Sequence, residues 1–492
     1  MKTKYLSDDD KRRLRELRHM KDIDEIAQQL VYALEKQYTL GSLWQYKKWY
    51  YMLTVEQLEK YQMLIPRLIH ICILDGELDK AKELLDMMSK DSREFLLSKL
   101  TFPGLEKEER RQLLDKALET GIAPVPNLIL TAGRPSLLNG VWDFTSYTDV
   151  IQDEKEYSLE QIRCMYGEQA ENIYKVAYAE SLYYQDKCYE ALVIVVGLIP
   201  FLKEKHQIRL LFVALTLEIY IMVQNGQTPS SVPMMDNLRK QIKEVGLEEY
   251  LSNVNVLDAW AAMYDGDYKR VASWMKEEAP DEYGEFCMLD LFGYMIKMRA
   301  YIIQGKYLAV TALATKLLPL LEKGKRYMDI CELHMVWAMS DYADKRKEEA
   351  FKHLEQALEL SEKNHYDRLL ADEGKRMCDL LKEYGKTNKK SSYLSKLIEL
   401  SEKSAALFPR YLKNQLPVKP ALTETELRIM RLLQDNYTNA EIGQELGIAI
   451  ETAKKHCKNI IAKLEVKNRQ QAVQKAVEYG IIEEKIFTNA FR

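Results

Sequence analysis

The sequence predicts an all-α protein: an α-solenoid of two-helix, TPR-like repeats, followed by a small four-helix helix-turn-helix domain. Three observations support this fold class. Turn-like points recur about every 40 residues over the middle of the chain, strand-like alternation is scarce, and the C-terminal segment repeats helix-capping motifs at short intervals. The turn-like points are Asp186, Gly226, Gly266, Gly305 and Lys345.

The repeats and their interruptions divide the chain into five parts. We expect N-terminal helical repeats at 1–120, an irregular Pro/Gly insertion at 121–158, a TPR-like helical-repeat array at 159–385, a helix and linker at 386–420, and the helix-turn-helix domain at 421–492. Pro124, Pro126 and Pro135 forbid a continuous helix in the insertion, and Asn139-Gly140 is suited to a small hairpin. The insertion is either a buried plug between two blocks of repeats, which we favour, or a contact with another domain or a partner.

Aromatic residues and prolines give two further expectations. Tyr189, Tyr268 and Tyr307 each follow a predicted turn, and we expect them to fill the junctions between helices. Pro409 and the two prolines after it predict a stiff, extended linker into the C-terminal domain.

Composition and charge restrict the function. The chain has 492 residues, of which 47% are hydrophobic, and its net charge is −4. Residues 417–492 hold 12 Lys and Arg against 10 Asp and Glu, so they carry +2 while the remainder carries −6. The body is therefore not a basic nucleic-acid surface, and any DNA-binding role belongs to the C-terminal domain.

Cysteine spacing and hydropathy exclude several protein classes. The seven cysteines contain no C-x-x-C pair, which indicates reduced thiols and neither a disulfide framework nor a zinc site. Residues 1–20 are highly charged and lack the apolar stretch of a secretion signal. No run of eighteen apolar residues is long enough to span a membrane. We expect a cytoplasmic protein with no membrane partner.

The C-terminal domain is marked by three capping-box motifs, in which the first and fourth residues satisfy free amides at a helix start. They are Thr423-x-x-Glu426, Thr438-x-x-Glu441 and Asn468-x-x-Gln471. With a further start near Ile450 they predict four short helices, and Gly447 is placed to end the second helix in a sharp turn.

The third of these helices has the charge expected of a helix that enters a DNA groove. The helix carries lysines at 454, 455, 458 and 463 and a single acid, Glu451. Cationic side chains neutralise phosphates. On an isolated helix such lysines are usually a solvated face; within the capped four-helix frame we favour DNA contact. The candidate DNA-binding residues are Thr438, Asn439, Thr452, Lys454, Lys455, His456, Lys458, Lys463 and Arg469.

The segment from Leu422 to Arg469 resembles the DNA-binding domain of the LuxR/FixJ family of bacterial transcription regulators. It departs from the family's usual residues at Thr425, Gly443, Ala449 and Ala453. The matching residues are Leu422, Thr423, Glu426, Asn439, Glu441, Ile442, Leu446, Thr452, Lys454, His456, Ile460, Lys463, Leu464, Val466, Asn468 and Arg469.

The helical-repeat body ahead of this domain is similar to the MalT-like regulators, in which a nucleotide-hydrolysing domain precedes a sensing repeat domain. A phosphate-binding loop needs G-x-x-x-x-G-K-[ST]. Gly385-Lys386-Thr387 has the last letters, but Leu380 stands where the first glycine is needed. Either the protein is a short relative without the ATPase domain, or the sequence begins after that domain; in both cases we expect no cofactor here.

The resemblance implies a sequence-specific DNA-binding transcription regulator that binds double-stranded promoter DNA as a homodimer. Its helical repeats are expected to sense a small-molecule or protein effector and to control the helix-turn-helix domain. No catalytic motif was found, so we expect no enzyme. The alternative is a helical-repeat scaffold for protein interactions that carries a vestigial DNA-binding tail.

Overall fold

The structure, a computed structural model, forms two compact units, residues 1–413 and 414–492. No β-strand forms among the described residues, which confirms the predicted all-α class; an isolated antiparallel bridge joins Asn139 and Asp143 at the predicted hairpin. The residues described are 8–34, 40–100, 102–105, 107–120, 134–140, 143–145, 148–244, 246, 248–387, 391–413, 422–464, 466, 468–478 and 481–482.

The N-terminal part of the first unit is built around one apolar helix. Nine helices are described before residue 121: α1 (Asp8–His19), α2 (Ile23–Leu34), α3 (Leu40–Gln45), α4 (Lys47–Tyr50), α5 (Val55–Lys60), α6 (Ile65–Asp75), α7 (Leu78–Asp86), α8 (Arg93–Leu100) and α9 (Lys107–Thr120). Helix α6 buries all its residues from Leu68 to Leu74, since apolar side chains occur all around it. It ends at Gly76, whose φ of +79° suits glycine.

The array consists of helical hairpins in sequence order. Its helices are α10 (Thr148–Asp153), α11 (Lys155–Tyr166), α12 (Ala170–Tyr184), α13 (Cys188–Glu204), α14 (Ile208–Gln224), α15 (Thr228–Glu244), α16 (Leu251–Asp265), α17 (Tyr268–Glu277), α18 (Leu291–Ile303), α19 (Tyr307–Lys323), α20 (Tyr327–Ala343) and α21 (Lys347–Asn364). Helices α22 (Asp367–Ala371), α23 (Gly374–Thr387) and α24 (Ser392–Leu407) follow them.

Left-handed backbone conformations mark the turns of the hairpins. All five predicted turn residues have positive φ; Asp186 and Lys345, with φ of +65° and +66°, are not glycines. The amide after each turn bonds back to the helix, as in Asp267 N to the Ala262 carbonyl at 2.9 Å. This bond satisfies a carbonyl that the helix end would leave free. The predicted period of the array is confirmed at these positions.

The helices of the array form an inner and an outer layer. Every residue of α18 is buried, and α12, α14, α16 and α20 are buried on most sides, which marks them as the inner layer. The outer helices bury a single stripe, as α21 does with Ala350, Leu354 and Ala357. The prediction that Tyr189 fills a junction between helices was wrong: its side chain is 76% exposed, because it lies on the outward face of α13.

Two irregular segments of the first unit differ from the sequence-based expectation. Helix α10 and the start of α11 lie within the predicted insertion. Apolar residues recur there at helical spacing among charged residues. Residues 134–140 and 143–145 pack into the inner layer, and 121–133 lie outside the described residues. Phe408, Tyr411 and Leu412 are buried, so residues 408–413 form a packed strap where an extended linker was expected.

Four helices lie in the described part of the second unit: α25 (Glu424–Gln434), α26 (Asn439–Leu446), α27 (Ile450–Lys463) and α28 (Arg469–Glu478). Its separate core includes Ile429, Met430, Ile442, Ile460 and Ala472. Each helix starts where the sequence predicted it. No helix among the residues described in either unit is long and apolar enough to cross a membrane.

Candidate DNA-binding surface

Capping boxes fix the starts of the first two helices of the second unit. The Thr423 amide donates to the Glu426 carboxylate at 2.7 Å, and the Glu426 amide donates to the Thr423 hydroxyl at 3.3 Å. Thr438 and Glu441 form the same reciprocal pair at 2.6 and 3.3 Å. Hydrogen bonds from Thr438 hold the pKa of Glu441 below its usual range. The boxes predicted at Thr423 and Thr438 are confirmed, and at the third the Gln471 amide donates to the Asn468 side chain at 2.9 Å. These bonds satisfy free amides at the helix starts.

The turn between α26 and α27 is tight because of two glycines. Gly447 has φ of +65°, a left-handed conformation, and the Ile448 amide donates to the Gly443 carbonyl at 2.9 Å. A Cβ on Gly443 would lie 2.9 Å from the Ile448 carbonyl oxygen. This oxygen belongs to the backbone of the turn, so it cannot move away as a flexible side chain could. Gly443 therefore allows the close turn that sets the direction of α27.

Helix α27 begins without a side-chain cap. Ala449 has the extended conformation of an N-cap residue, but its methyl group accepts no hydrogen bond. Ala453, Cys457 and Ile460 are buried at i, i+4 and i+7, and this stripe fixes which face points outward. Burial raises the pKa of the Cys457 thiol, so this cysteine is a core residue.

The outward face of α27 carries the exposed candidates Thr452, Lys454, Lys455 and Lys458. The Lys454 ammonium donates to the Glu451 carboxylate at 2.7 Å, and both side chains are largely exposed. An exposed pair at i, i+3 contributes only about 0.5 kcal/mol. A DNA phosphate or base can therefore replace Glu451 as the partner of Lys454 at little cost.

The structure separates Lys463 from this face. Its ammonium donates to the Glu426 carboxylate at 2.6 Å, and Glu426 is only 3% exposed. Burial raises the pKa of Glu426, but the bonds from Lys463 and Thr423 together outweigh it and hold the pKa below its usual range. Lys463 thus ties α27 to the capping box of α25, a role that its place in the lysine run did not reveal.

Of the remaining candidates, Thr438, Asn439 and Arg469 lie around the start of α26, whereas His456 lies on α27. Arg469 donates to the Tyr437 carbonyl at 3.4 Å and to the Asn439 amide oxygen at 3.1 Å. These bonds join the first residue of α28 to the start of α26, beside Thr438. His456 is half-buried, and its Nδ1 has no hydrogen-bond partner among the described residues.

The arrangement offers an exposed helix face with cations spaced one turn apart and amide and hydroxyl groups at a neighbouring helix start. Such groups bind phosphates and base edges. Sequence reasoning missed the bond between Glu426 and Lys463, because it depends on the packing of α25 against α27. In the part of the chain that the structure describes, no group of His, Cys, Asp and Glu side chains is arranged to hold a metal ion.

Comparisons with known proteins agree with this geometry. Residues 420–476 match the luxR family of bacterial regulatory proteins, and residues 169–387 match the MalT-like TPR region. The response regulator protein VraR of Staphylococcus aureus (strain NCTC 8325 / PS 47) and that of Staphylococcus epidermidis are each 39% identical to this chain over 72 residues. The match covers 15% of this chain and 34% of each relative.

The chain therefore spans about a third of the length of these relatives. It combines a LuxR-type helix-turn-helix domain at its C-terminus with a MalT-like helical-repeat region, as its sequence predicted.

Proposed function

We propose that this protein is a sequence-specific DNA-binding transcription regulator that reads promoter DNA with α27. The observation that carries this proposal is the exposed face of α27, on which Lys454, Lys455 and Lys458 stand clear of the buried stripe. A recognition helix presents such a face to the major groove, and its N-terminal residues meet base edges. Thr452 and Lys454 then contact bases, and Lys455 and Lys458 contact the backbone or flanking bases.

The protein binds DNA as a homodimer in this proposal. Two helix-turn-helix domains then read half-sites about one helical turn, roughly 34–36 Å, apart. The side chains at the start of α26 contact the backbone that flanks the groove. Support comes from the luxR-family match and from the relatives in Staphylococcus, which are response regulators.

The helical-repeat array receives an effector and controls how the helix-turn-helix domain is presented. The MalT-like match of residues 169–387 supports this part of the proposal. If the domain is presented in two ways, an effector shifts the equilibrium between these two states only by its difference in affinity for them.

A protein-interaction scaffold is the second candidate, and one observation favours it. Helix α13 exposes Tyr189, Val193, Val196 and Phe201, large apolar side chains that lie outside the core. Exposed apolar patches on helical repeats often mark protein-binding surfaces.

Selection of bound DNA from a random pool, with the intact chain at two salt concentrations, tests the proposal. A palindromic motif and affinity that falls steeply with salt are the expected results. If neither the intact chain nor a 410–492 fragment enriches a motif, the scaffold function is favoured instead.

A further inference from the structure

The inner layer of the array holds an irregular stretch of the same chain through buried polar groups. Residues 134–140 and 143–145, here called the inner segment, contact α12, α20 and the N-cap residue of α22. They precede the region that matches the MalT-like repeats. The contacts resemble those of a receptor with an extended peptide, because both the main chain and the side chains of the inner segment form bonds with the array.

Main-chain recognition comes from two buried charges. The Glu180 carboxylate on α12 accepts from the amides of Leu137 at 2.9 Å and Leu138 at 3.3 Å, and from the Ser136 hydroxyl. The Arg326 guanidinium donates to the Gly140 carbonyl at 2.7 Å. Bonds to amides and carbonyls do not depend on the side chains of the bound segment, so they bind peptide as such.

Side-chain recognition selects the sequence of the bound segment. Arg134 pairs with Glu332 on α20. The Asn139 side chain donates to Asp329 at 3.1 Å and accepts from Arg326 at 3.0 Å. These bonds use both ends of the amide, and an aspartate or leucine in its place would leave a buried group unpaired.

Two further contacts extend this recognition toward α22. The Met328 amide donates to the Asp143 carboxylate at 3.0 Å, and the hydroxyls of Thr145 and Tyr366 are hydrogen-bonded. The recognised pattern is thus Arg-x4-Asn-Gly-x2-Asp-x-Thr.

The buried charges make an occupant necessary. Glu180, Arg326, Asp329 and Glu332 are between 1% and 4% exposed. A buried charge that loses its partner is strongly destabilising, so an empty site would carry a large cost. A plug whose only role is to fill space needs no such groups, since apolar side chains fill space without this risk.

The site extends beyond the inner segment at the Arg134 end. A cavity of about 50 Å³ lies there, lined by Arg134, Tyr220, Trp260 and Arg299 among others. The Tyr220 hydroxyl and the Arg134 Nε are buried and have no hydrogen-bond partner among the described residues. Each group can donate a hydrogen bond, and the inner segment supplies no acceptor for either.

We propose that the inner layer of the array is a peptide-binding site, occupied here by the chain's own inner segment, and that a peptide or protein segment of the pattern Arg-x4-Asn-Gly-x2-Asp-x-Thr competes for it. The inference rests on the proposed function in one respect: it identifies the effector of the regulator as a peptide. Binding to the site itself is independent of DNA.

The test uses the full chain with residues 134–145 replaced by glycine and serine, and a labelled synthetic peptide of the sequence RPSLLNGVWDFT. We expect the replaced chain to bind the peptide at least tenfold more tightly than the natural chain, whose site is occupied, and its melting temperature to rise on binding. Peptides carrying Arg134→Ala or Asn139→Ala should each bind at least tenfold more weakly. A scrambled peptide is the matched control.

Equal binding of the scrambled and natural peptides, or no binding by a folded replaced chain, contradicts the proposal. If the replaced chain is unfolded on its own, the measurement is helix content by circular dichroism: a gain on adding peptide supports the site, and no gain refutes it. The full chain with Asn139→Ala gives a further measurement, since its loosened segment should let the labelled peptide bind more tightly than to the natural chain. None of these results depends on whether α27 binds DNA, which the selection experiment decides separately.

Discussion

The two units of this protein use charged side chains in opposite ways. In the first unit Arg299 is 3% exposed and bonds Glu332 at 2.7 Å and Glu373 at 2.9 Å. In the second unit the Lys454 side chain is 49% exposed and has one exposed partner. Buried pairs fix a conformation because breaking them is costly, whereas exposed cations remain available to a polyanion. Charged side chains therefore build a rigid interior in one unit and offer a ligand surface in the other.

The buried charges of the first unit form a continuous series. Arg134 of the inner segment pairs with Glu332, which pairs with Arg299, and Arg299 pairs with Glu373. The Tyr411 hydroxyl of the strap 408–413 donates to Glu373 at 2.8 Å. Burial raises the pKa of Glu332, but Arg134 and Arg299 outweigh it and hold the pKa below its usual range. The inner segment and the strap thus share one network of ion pairs and hydrogen bonds.

The largest effect expected from this comparison is on the stability of the first unit. Arg299→Met removes the charge between Glu332 and Glu373 and leaves two buried carboxylates without this partner. We expect a loss of about 3–5 kcal/mol in the free energy of unfolding, measured with urea and followed by tryptophan fluorescence. Lys375→Met is the control, because Lys375 and Asp379 form an exposed i, i+4 pair and their separation should cost about 0.5 kcal/mol or less. Equal losses in the two variants would show that burial does not distinguish these pairs.

The next largest effect is on DNA affinity, in a variant whose stability should not change. Lys454→Ala should weaken binding to the selected DNA by about 1–3 kcal/mol, because a base contact is lost. Binding to unrelated DNA should change much less. Fluorescence anisotropy with both DNAs measures the difference, and Lys352→Ala, an exposed lysine of the first unit, is the control. Equal weakening on both DNAs would place Lys454 at a phosphate.

Helix caps give a smaller effect within the second unit. Thr438→Ala removes the cap of α26 and should lower the free energy of unfolding by about 0.5–2 kcal/mol. Ala449→Ser adds a cap to α27, which has none, and should raise it by a similar or smaller amount. Thermal unfolding of a 410–492 fragment, followed by circular dichroism, measures both. If Ala449→Ser is destabilising, the start of α27 does not have the N-cap geometry described above.

The bond between Lys463 and Glu426 gives the smallest predicted effect, a dependence of stability on acid pH. The pKa of Glu426 is lowered in the folded unit, so its contribution is present above the usual glutamate pKa and is lost as pH falls through the lowered value. Urea unfolding of the same fragment at a series of acid pH values measures this slope. Lys463→Met should flatten it, and an unchanged slope would mean that another carboxyl group causes it.

The sequence predicted what depends on local signals. Capping boxes at Thr423 and Thr438, the turn at Gly447 and the period of the array were all correct, since each follows from residues close together in the chain. The bond of Lys463 and the burial of residues 408–413 were not predicted, for the opposite reason. The partner of Lys463 lies 37 residues away, and Tyr411 of the strap is buried because Tyr264 stacks on it with ring centroids 4.1 Å apart. Neither contact leaves a pattern in the sequence.

The most direct test of the account is the salt dependence of DNA affinity in the intact chain. Each phosphate contact adds roughly 0.9 to the slope of log affinity against log salt concentration. Lys458→Ala should therefore lower the slope by about 0.9 for selected and unrelated DNA alike, because the loss is of a phosphate contact. If the slope and the affinity both remain those of the natural chain, the outward face of α27 is not the surface that binds DNA.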